Sequence, residues 1–270
     1  MRIARRTFIG GAPAGAAAAS IQGAPTSAGG RIGVALIGCG GMGRMDLQDF
    51  LRVPGVEAVA VCDVDRERVE RARQIAGPRA RAFSDYRRVL ELEEADAVIV
   101  ATPDHWHALM TVEACEAGKD VYVEKPVSFC VREGRLMVEA ARRNRRVVQV
   151  GIQQRSGTHF QRAVRAVQDG RIGAVHYAQA WTHFHNPSPE GMGHPQDSEP
   201  PEGFDWETFL GPAPRVPYNR ARRSFRVFHD YAGGEMTNWG PHLVDIVHWA
   251  MRVEAPQAVS DRKSVVEGNS

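Results

Sequence analysis

Five short apolar runs, separated by polar segments of helix length, constrain this chain more than any other feature. They are "RIGVALIG" (31–38), "VEAVAVCD" (56–63), "ADAVIVATP" (95–103), "DVYVE" (120–124) and "RVVQVG" (146–151). A run that is apolar at successive positions must be covered on both faces, as strands of a parallel sheet are. The segments Met42–Leu51, Asp65–Ala76, Asp85–Leu92, His107–Ala117 and Arg132–Asn144 read as helices between them. Gly118 marks a helix stop and Pro54-Gly55 a turn. This alternation predicts an α/β domain over residues 29–151, a doubly wound parallel sheet of Rossmann type with right-handed crossovers.

The turn after the first strand is the first candidate for chemistry. "GCGGMG" supplies Gly38, Gly40 and Gly43 as G-x-G-x-x-G, with Gly41 and Met42 inside the same turn. The motif alone is weak, but here it follows a predicted strand, opens a predicted helix and precedes an acidic residue, Asp63, at the end of the next strand. Gly38 would make the tight turn, Gly40 would admit a pyrophosphate and Gly43 would let the helix pack on the sheet. The helix N-terminus would offer its free N–H groups to the phosphates. Asp63 would accept from ribose hydroxyls, which favours NAD over NADP; Asp65 strengthens that preference and Arg66 blurs it. A glycine turn of purely structural purpose is the competing reading.

The rhythm changes after Gly151. "THFQRAVRAVQDGRIG" reads as a helix with a glycine stop, "AVHYAQAWTHF" as an antiparallel strand, and residues 186–204 as a long loop. "GGEMTNWGPHLVDIVHWAM" reads as a glycine turn entering one amphipathic helix. Residues 152–260 are therefore expected to form part of a second, α+β domain with an open sheet. One strand cannot bury its own apolar face, so this domain reads as incomplete. The polar "DRKSVVEGNS" (261–270) lacks a core-forming pattern and is read as a non-native tail.

Residues 1–28 have a basic start, Arg5-Arg6 ahead of Phe8 and Ile9, and an Ala/Gly stretch too weakly apolar for a membrane span. They are similar to a twin-arginine export signal, which predicts a periplasmic or otherwise exported protein; the alternative is a cytoplasmic one with a disordered tail. Three of the 34 basic residues (Arg2, Arg5 and Arg6) lie in that leader, so the remainder nearly balances the 32 acidic ones. Such a balance offers nucleic acid or an anionic membrane no electrostatic footprint. Cys39, Cys62, Cys115 and Cys130 have no C-x-x-C spacing and read as free structural thiols. "HFH" (183–185) puts two histidines on one face of the predicted strand, half of a possible metal site, but no ordered ligand set accompanies it. No metal is expected. Trp181, Phe184, Trp206, Tyr218, Phe225 and Trp239 suit either a sugar-stacking wall or core packing.

"VIVATPDHWHALMTVEACEAGKDVYVEKPVS", the glycine turn and "GGEMTNWGPHLVDIVHW" together resemble the Gfo/Idh/MocA family of NAD(P)-dependent sugar and cyclitol oxidoreductases, across about residues 31–252. The resemblance implies NAD as cofactor, with NADP less expected, and a carbohydrate or cyclitol substrate. It also implies a longer full-length chain that assembles as a homo-oligomer through its C-terminal sheet. Lys125, in Glu124-Lys125-Pro126, would lie beside the nicotinamide and the reacting hydroxyl, with Glu124 fixing its approach. Thr102 and Pro103 would contact the dinucleotide, and His107 would orient cofactor and loops. His105 and Trp106 would line the pocket or cap a helix.

The family pattern D-x-x-x-H reads here Asn238-Trp-Gly-Pro-His242, so an asparagine stands for the aspartate. His242 is expected as general base, Asn238 as a neutral hydrogen-bonding partner, and Asp245 as a carboxylate compensating for the lost one. Substrate positioning would fall to Arg155, Asn238, His242 and Asp245. Three functions stay open: an oxidoreductase with retained NAD, NAD-dependent glycoside cleavage by transient oxidation and elimination, and a non-catalytic NAD- or sugar-sensing protein.

Overall fold

In the computed structural model of the chain, the structure describes residues 30–182, 193 and 195–259. Six strands, β1 (Ile32–Ile37), β2 (Val56–Cys62), β3 (Arg81–Phe83), β4 (Ala97–Val100), β5 (Asp120–Glu124) and β6 (Val148–Gly151), form one sheet ordered β3-β2-β1-β4-β5-β6. Every neighbouring pair is parallel. Helices α1 (Gly41–Leu51), α2 (Arg66–Ala76), α3 (Tyr86–Leu90), α4 (Asp104–Glu116) and α5 (Val131–Arg143) make the crossovers.

Strand alternation assigns the two faces. Val34, Leu36, Ala97 and Ile99 pack with Leu47 of α1 and with Val69 and Ala72 of α2. Ala35, Ile37, Val98, Val100, Val121 and Val123 pack on the other side with Val89, Met110, Ala114, Met137 and Ala140. Both faces are covered, which is why the runs are continuously apolar. Strand order reverses between β1 and β4, and the crevice beyond their carboxyl ends is where ligands of open α/β sheets bind. The side chain of Asp65 starts α2 by accepting from the Glu67 and Arg68 amides, and Asp85 does the same for α3 at Arg87.

β3 is missing from the sequence reading because it has only three residues, two of them exposed. β4 is shorter than the apolar run suggests, and α4 starts at Asp104, three residues earlier than expected. Cys39, Cys62 and Cys115 are buried free thiols and Cys130 is an exposed one.

The second region departs further from expectation. After α6 (Thr158–Gln168), residues 174–182 of the expected antiparallel strand have no regular structure, and among the described residues no strand pairs with them. Its His183, Phe184 and His185 lie outside the described residues, as do His194, the leader and the tail. The segment 195–232 instead forms an aromatic cluster around the short α7 (Trp206–Leu210): Phe204, Trp206, Phe209, Tyr218 and Tyr231. The single C-terminal helix of the sequence reading is divided into α8 (Gly234–Asn238) and α9 (Gly240–Met251), joined at Trp239 with Pro241 in the first turn of α9. Proline there cannot donate the hydrogen bond that would carry one helix smoothly through. Among the described residues no helix is long and apolar enough to cross a membrane.

Candidate active site

A cavity of about 380 Å³ opens at the β1/β4 switch point and runs from the glycine turn to Lys125 and Asn238. Gly38, Gly40, Gly41, Met42, Asp63, Thr102, Pro103, Glu124 and Lys125 all line it. The turn fits a dinucleotide. Gly38 has φ +94°, and a Cβ there would come within 2.6 Å of the Ala101 carbonyl, so β1 and β4 can approach closely only over a glycine. A Cβ on Gly41 would meet nothing within 4 Å, which leaves a cradle above the N-terminus of α1. No side chain caps that helix and no acidic residue occupies its first turn. Its amides are left for an anion. The Thr102 hydroxyl is buried beside the same space without a protein partner.

Asp63 has a structural part of its own. Its Oδ2 accepts from the Cys39 amide (2.7 Å) and its Oδ1 from the Asp65 amide (2.9 Å), so it fixes the turn. Each oxygen keeps a further lone pair. Burial pushes this carboxyl upward, against the pull of Arg68. Arg66 does not join the cavity; it pairs with Glu202 on the outer side. Arg44, Arg68, Arg71 and Arg223 line the cavity instead, and sequence reasoning did not single them out.

At the other end Lys125 emerges from β5 across a cis peptide to Pro126. Its Nζ donates to the Asn238 backbone oxygen at 2.9 Å and to Asn238 Oδ1 at 3.0 Å. Two residues 113 positions apart are thereby joined across the two lobes. Burial lowers the lysine's affinity for a proton and Arg226 adds to that, while Glu124, Asp104 and Glu235 oppose it. Glu124 is buried, accepts from the Lys125 amide at 3.2 Å and leaves Oε1 without a partner. Burial pushes its carboxyl up to about 7. Asp104, at the start of α4, is pushed up to about 6 by burial. Asp104 and Arg226 were both missed: Asp104 stands inside the quoted block but was passed over between Pro103 and His105, and Arg226 belongs to no motif.

His242 is buried in the first turn of α9, off the cavity wall, with Nδ1 lacking a partner. Burial, then the charge of Lys125, lowers its pKa, and Asp245 works the other way. Arg155 and Asp245 also stand off the cavity. They form a two-pronged ion pair, Nε to Oδ2 at 2.6 Å and a second NH₂ to Oδ1 at 2.7 Å. Asp245 is thus engaged by Arg155, with no direct bond to His242.

His107 is buried behind the wall. Its Nδ1 lies 2.7 Å from the Pro126 oxygen and its Nε2 2.9 Å from the Thr102 oxygen, tying together the loops after β4 and β5. His105 Nε2 (3.1 Å) and Trp106 Nε1 (3.0 Å) converge on the Phe209 carbonyl. They dock the second lobe while Trp106 also lines the cavity. Of the aromatic candidates, Trp206 and Tyr218 enter the core of that lobe, Phe225 lines the cavity and Trp181 is exposed. Among the described residues no cluster of three potential ligands could hold a metal.

The second lobe closes over the nucleotide end. Phe204 bridges Asp65, the Arg66 amide donates to Gly203, and the Asp205 amide donates to Val64. Arg223 reaches Asp65 at 2.5 Å, and Phe204, Thr208, Phe209 and Phe225 join the cavity wall.

Comparison with known proteins agrees with this geometry. The family described as "Oxidoreductase family, NAD-binding Rossmann fold" matches residues 32–152. Its companion, "Oxidoreductase family, C-terminal alpha/beta domain", matches residues 178–262. An inositol 2-dehydrogenase of Rubrobacter xylanophilus is 34% identical over 153 residues, 56% of this chain and 44% of its own length. A glycosyl hydrolase family 109 protein of Saccharopolyspora erythraea is 36% identical over 162 residues, 56% of this chain and 35% of its own. The match takes up less than half the length of each of these relatives. The crystal structure of an NAD-binding protein from Listeria innocua shares the fold at a TM-score of 0.62 and 24% identity, covering 80% of this chain and 54% of that one.

Proposed function

Because the chain belongs to the Gfo/Idh/MocA family of oxidoreductases, we propose that it moves a hydride between NAD and a hydroxyl-bearing carbon of a sugar, sugar acid or cyclitol. The observation that carries this reading is Lys125: a cation-capable group at the carboxyl end of β5, inside the dinucleotide cavity and held there by Asn238. The glycine turn and the α1 N-terminus would hold the pyrophosphate, Asp63 the adenosine ribose, and Thr102 and Pro103 the span toward the nicotinamide. NAD, when bound, supplies the hydride acceptor. Lys125 would contact the substrate oxygen, and His107 would keep the loops carrying Thr102 and Pro126 in register. Arg155, His242 and Asp245 would shape the substrate end from behind the wall.

Closure of residues 203–231 over the nucleotide end supports a cofactor that stays with the protein between turnovers. A protein exported already folded would have to carry its NAD along, so retention and export support each other. The test begins by denaturing purified protein and assaying the supernatant for NAD. Inositols, sugars and sugar acids are then screened for reduction of the bound NAD by absorbance. Lys125→Ala should lower the rate by about 10²-fold or more, the usual contribution of a positioned acid–base group. A protein that holds no NAD and reduces none with any of these substrates would refute the proposal.

Retained cofactor also favours a second reading, redox-neutral glycoside cleavage, as the name of the Saccharopolyspora relative suggests. Release of nitrophenol from nitrophenyl glycosides without added NAD and without net NADH would select it over dehydrogenation.

A further inference from the structure

We infer that Lys125, presented by the two carbonyl groups of Asn238, is the group that takes the hydroxyl proton in this chain, and that Asn238 is its positioning residue. The inference rests on the oxidoreductase reading above and specifies how its site handles the proton. Both partners of Nζ are neutral carbonyl acceptors, at 2.9 and 3.0 Å. A neutral amine has two N–H donors and one lone pair, so these acceptors use both donors and leave the lone pair for the substrate. Neither carbonyl carries the negative charge that would hold the lysine as an ammonium. A carboxylate at position 238 would instead hold the lysine charged.

The groups around Nζ come from five elements: Glu124 on β5, Asp104 on α4, Glu235 on α8, Arg226 on the turn before α8, and His242 on α9. None of the carboxylates among them makes a hydrogen bond to Nζ. Burial of Glu124 and Asp104 keeps part of their population protonated near neutrality, which weakens their hold on a positive lysine. His242 is poorly placed for the same task, being buried off the cavity wall with Nδ1 unpartnered.

The step balances simply. The substrate O–H bond breaks and its proton bonds to the Nζ lone pair. The C–H bond breaks, its hydrogen leaves with the electron pair to NAD⁺, and the carbon–oxygen double bond forms. The substrate is oxidised, NAD⁺ is reduced, and Lys125 leaves the step as an ammonium.

The sequence contains three lysines, Lys119, Lys125 and Lys263, so competitive acetylation of full-length protein followed by peptide mass spectrometry can titrate Lys125 without any turnover. Asn238→Asp, which changes charge with little change of shape, should slow Lys125 labelling at neutral pH about tenfold or more and move its midpoint upward by a unit or more. Where a substrate is turned over, the acid limb of the kcat profile should move by the same amount with KM little changed. Asn238→Ser, which keeps the backbone acceptor and a neutral side chain, should leave the labelling midpoint near its original position. Bound NAD, measured in each variant, reports on folding. An unchanged Lys125 midpoint in Asn238→Asp overturns the inference, and so does an acid limb that moves with His242→Asn but not with Asn238→Asp. Absence of NAD reduction in the unaltered protein would count against the oxidoreductase reading itself, while the labelling result would still decide whether Asn238 holds the lysine neutral.

Discussion

A methyl group placed on Gly43 would sit 2.1 Å from the Gly38 carbonyl oxygen, whereas one on Gly41 would touch nothing. The two glycines are neighbours in one motif and answer to different demands. Gly43→Ala must push α1 away from the turn, so it should lower the melting temperature and strip the protein of NAD together. Gly41→Ala should keep or slightly raise thermal stability, since alanine outranks glycine in helices by up to about 1 kcal/mol. Its methyl would stand in the cradle, so NAD content should fall all the same. Melting curves beside cofactor assays check both, and parallel behaviour of the two variants would refute the assignment of the cradle.

Asp46 makes a second prediction at this scale. It is buried on α1 with Oδ2 unpartnered, and burial, then the nearby Glu124, pushes its carboxyl up to about 8. The folded state therefore binds more protons here than the unfolded one between the ordinary carboxyl range near 4 and about pH 8. Stability falls as pH rises through that window. Glu124, pushed up to about 7, acts in the same direction. Buried His105, His107 and His242 are all shifted downward and act oppositely, but only below their ordinary value of 6.5. Between about pH 6.5 and 8 the histidines no longer oppose the carboxyls, while Asp63 acts with them and the lowered Lys125 against them, so the test is the difference between the variant and the unaltered chain. Asp46→Asn should flatten the decline of melting temperature across that interval, and an undiminished slope would refute the shared acidity of this pair.

Elements carry a different lesson, visible at the joint between α4 and the second lobe. Trp106 donates to the Phe209 carbonyl, and its ring lies 2.0 Å from where a Gly211 Cβ would be. Trp106→Phe keeps most of the ring and loses one buried hydrogen bond, a cost of about 1 kcal/mol. Gly211→Ala forces the ring out and also strains a backbone at φ +50°, so it should destabilise more. Denaturant melts order the two, and the reverse order would show that the contact is slack.

Sequence periodicity could reveal the sheet because β1, β2, β4 and β5 declare burial on both faces in their own residues. It could not reveal β3, whose three residues are placed by pairing with β2. Nor could it show that α8 and α9 part at Trp239, a break that follows from Pro241 and from what Asn238 must reach. The glycine turn, Asp63 and Lys125 were legible as motif and context. Asp104 and Arg226 were not, since only folding brings them to the cavity; Arg155 and Asp245 were candidates singly, but their pairing off the cavity was not legible.

At the scale of the molecule, two lobes share one cavity, and NAD would touch both. A ligand that binds only the closed, folded form stabilises it by RT ln(1 + [L]/Kd), about 2.7 kcal/mol at a hundredfold excess over Kd. Protein stripped of NAD and then reloaded should regain melting temperature, and Arg223→Ala, which cuts the link to Asp65, should shrink that gain. Calorimetry of the stripped and loaded forms measures it, and an equal gain in the variant would show that closure and binding are independent.

The segment that closes the nucleotide end also carries Arg220, Arg222, Arg223 and Arg226 within seven residues. Each is a peptide bond that trypsin can recognise, and each lies in a stretch whose hold on the first lobe includes the Asp65 carboxylate. Brief digestion would therefore act as a gauge of closure: the chain should be cut within residues 220–226 when NAD is stripped and resist there when it is restored. The arginines that help shut the cavity would also report when it is open.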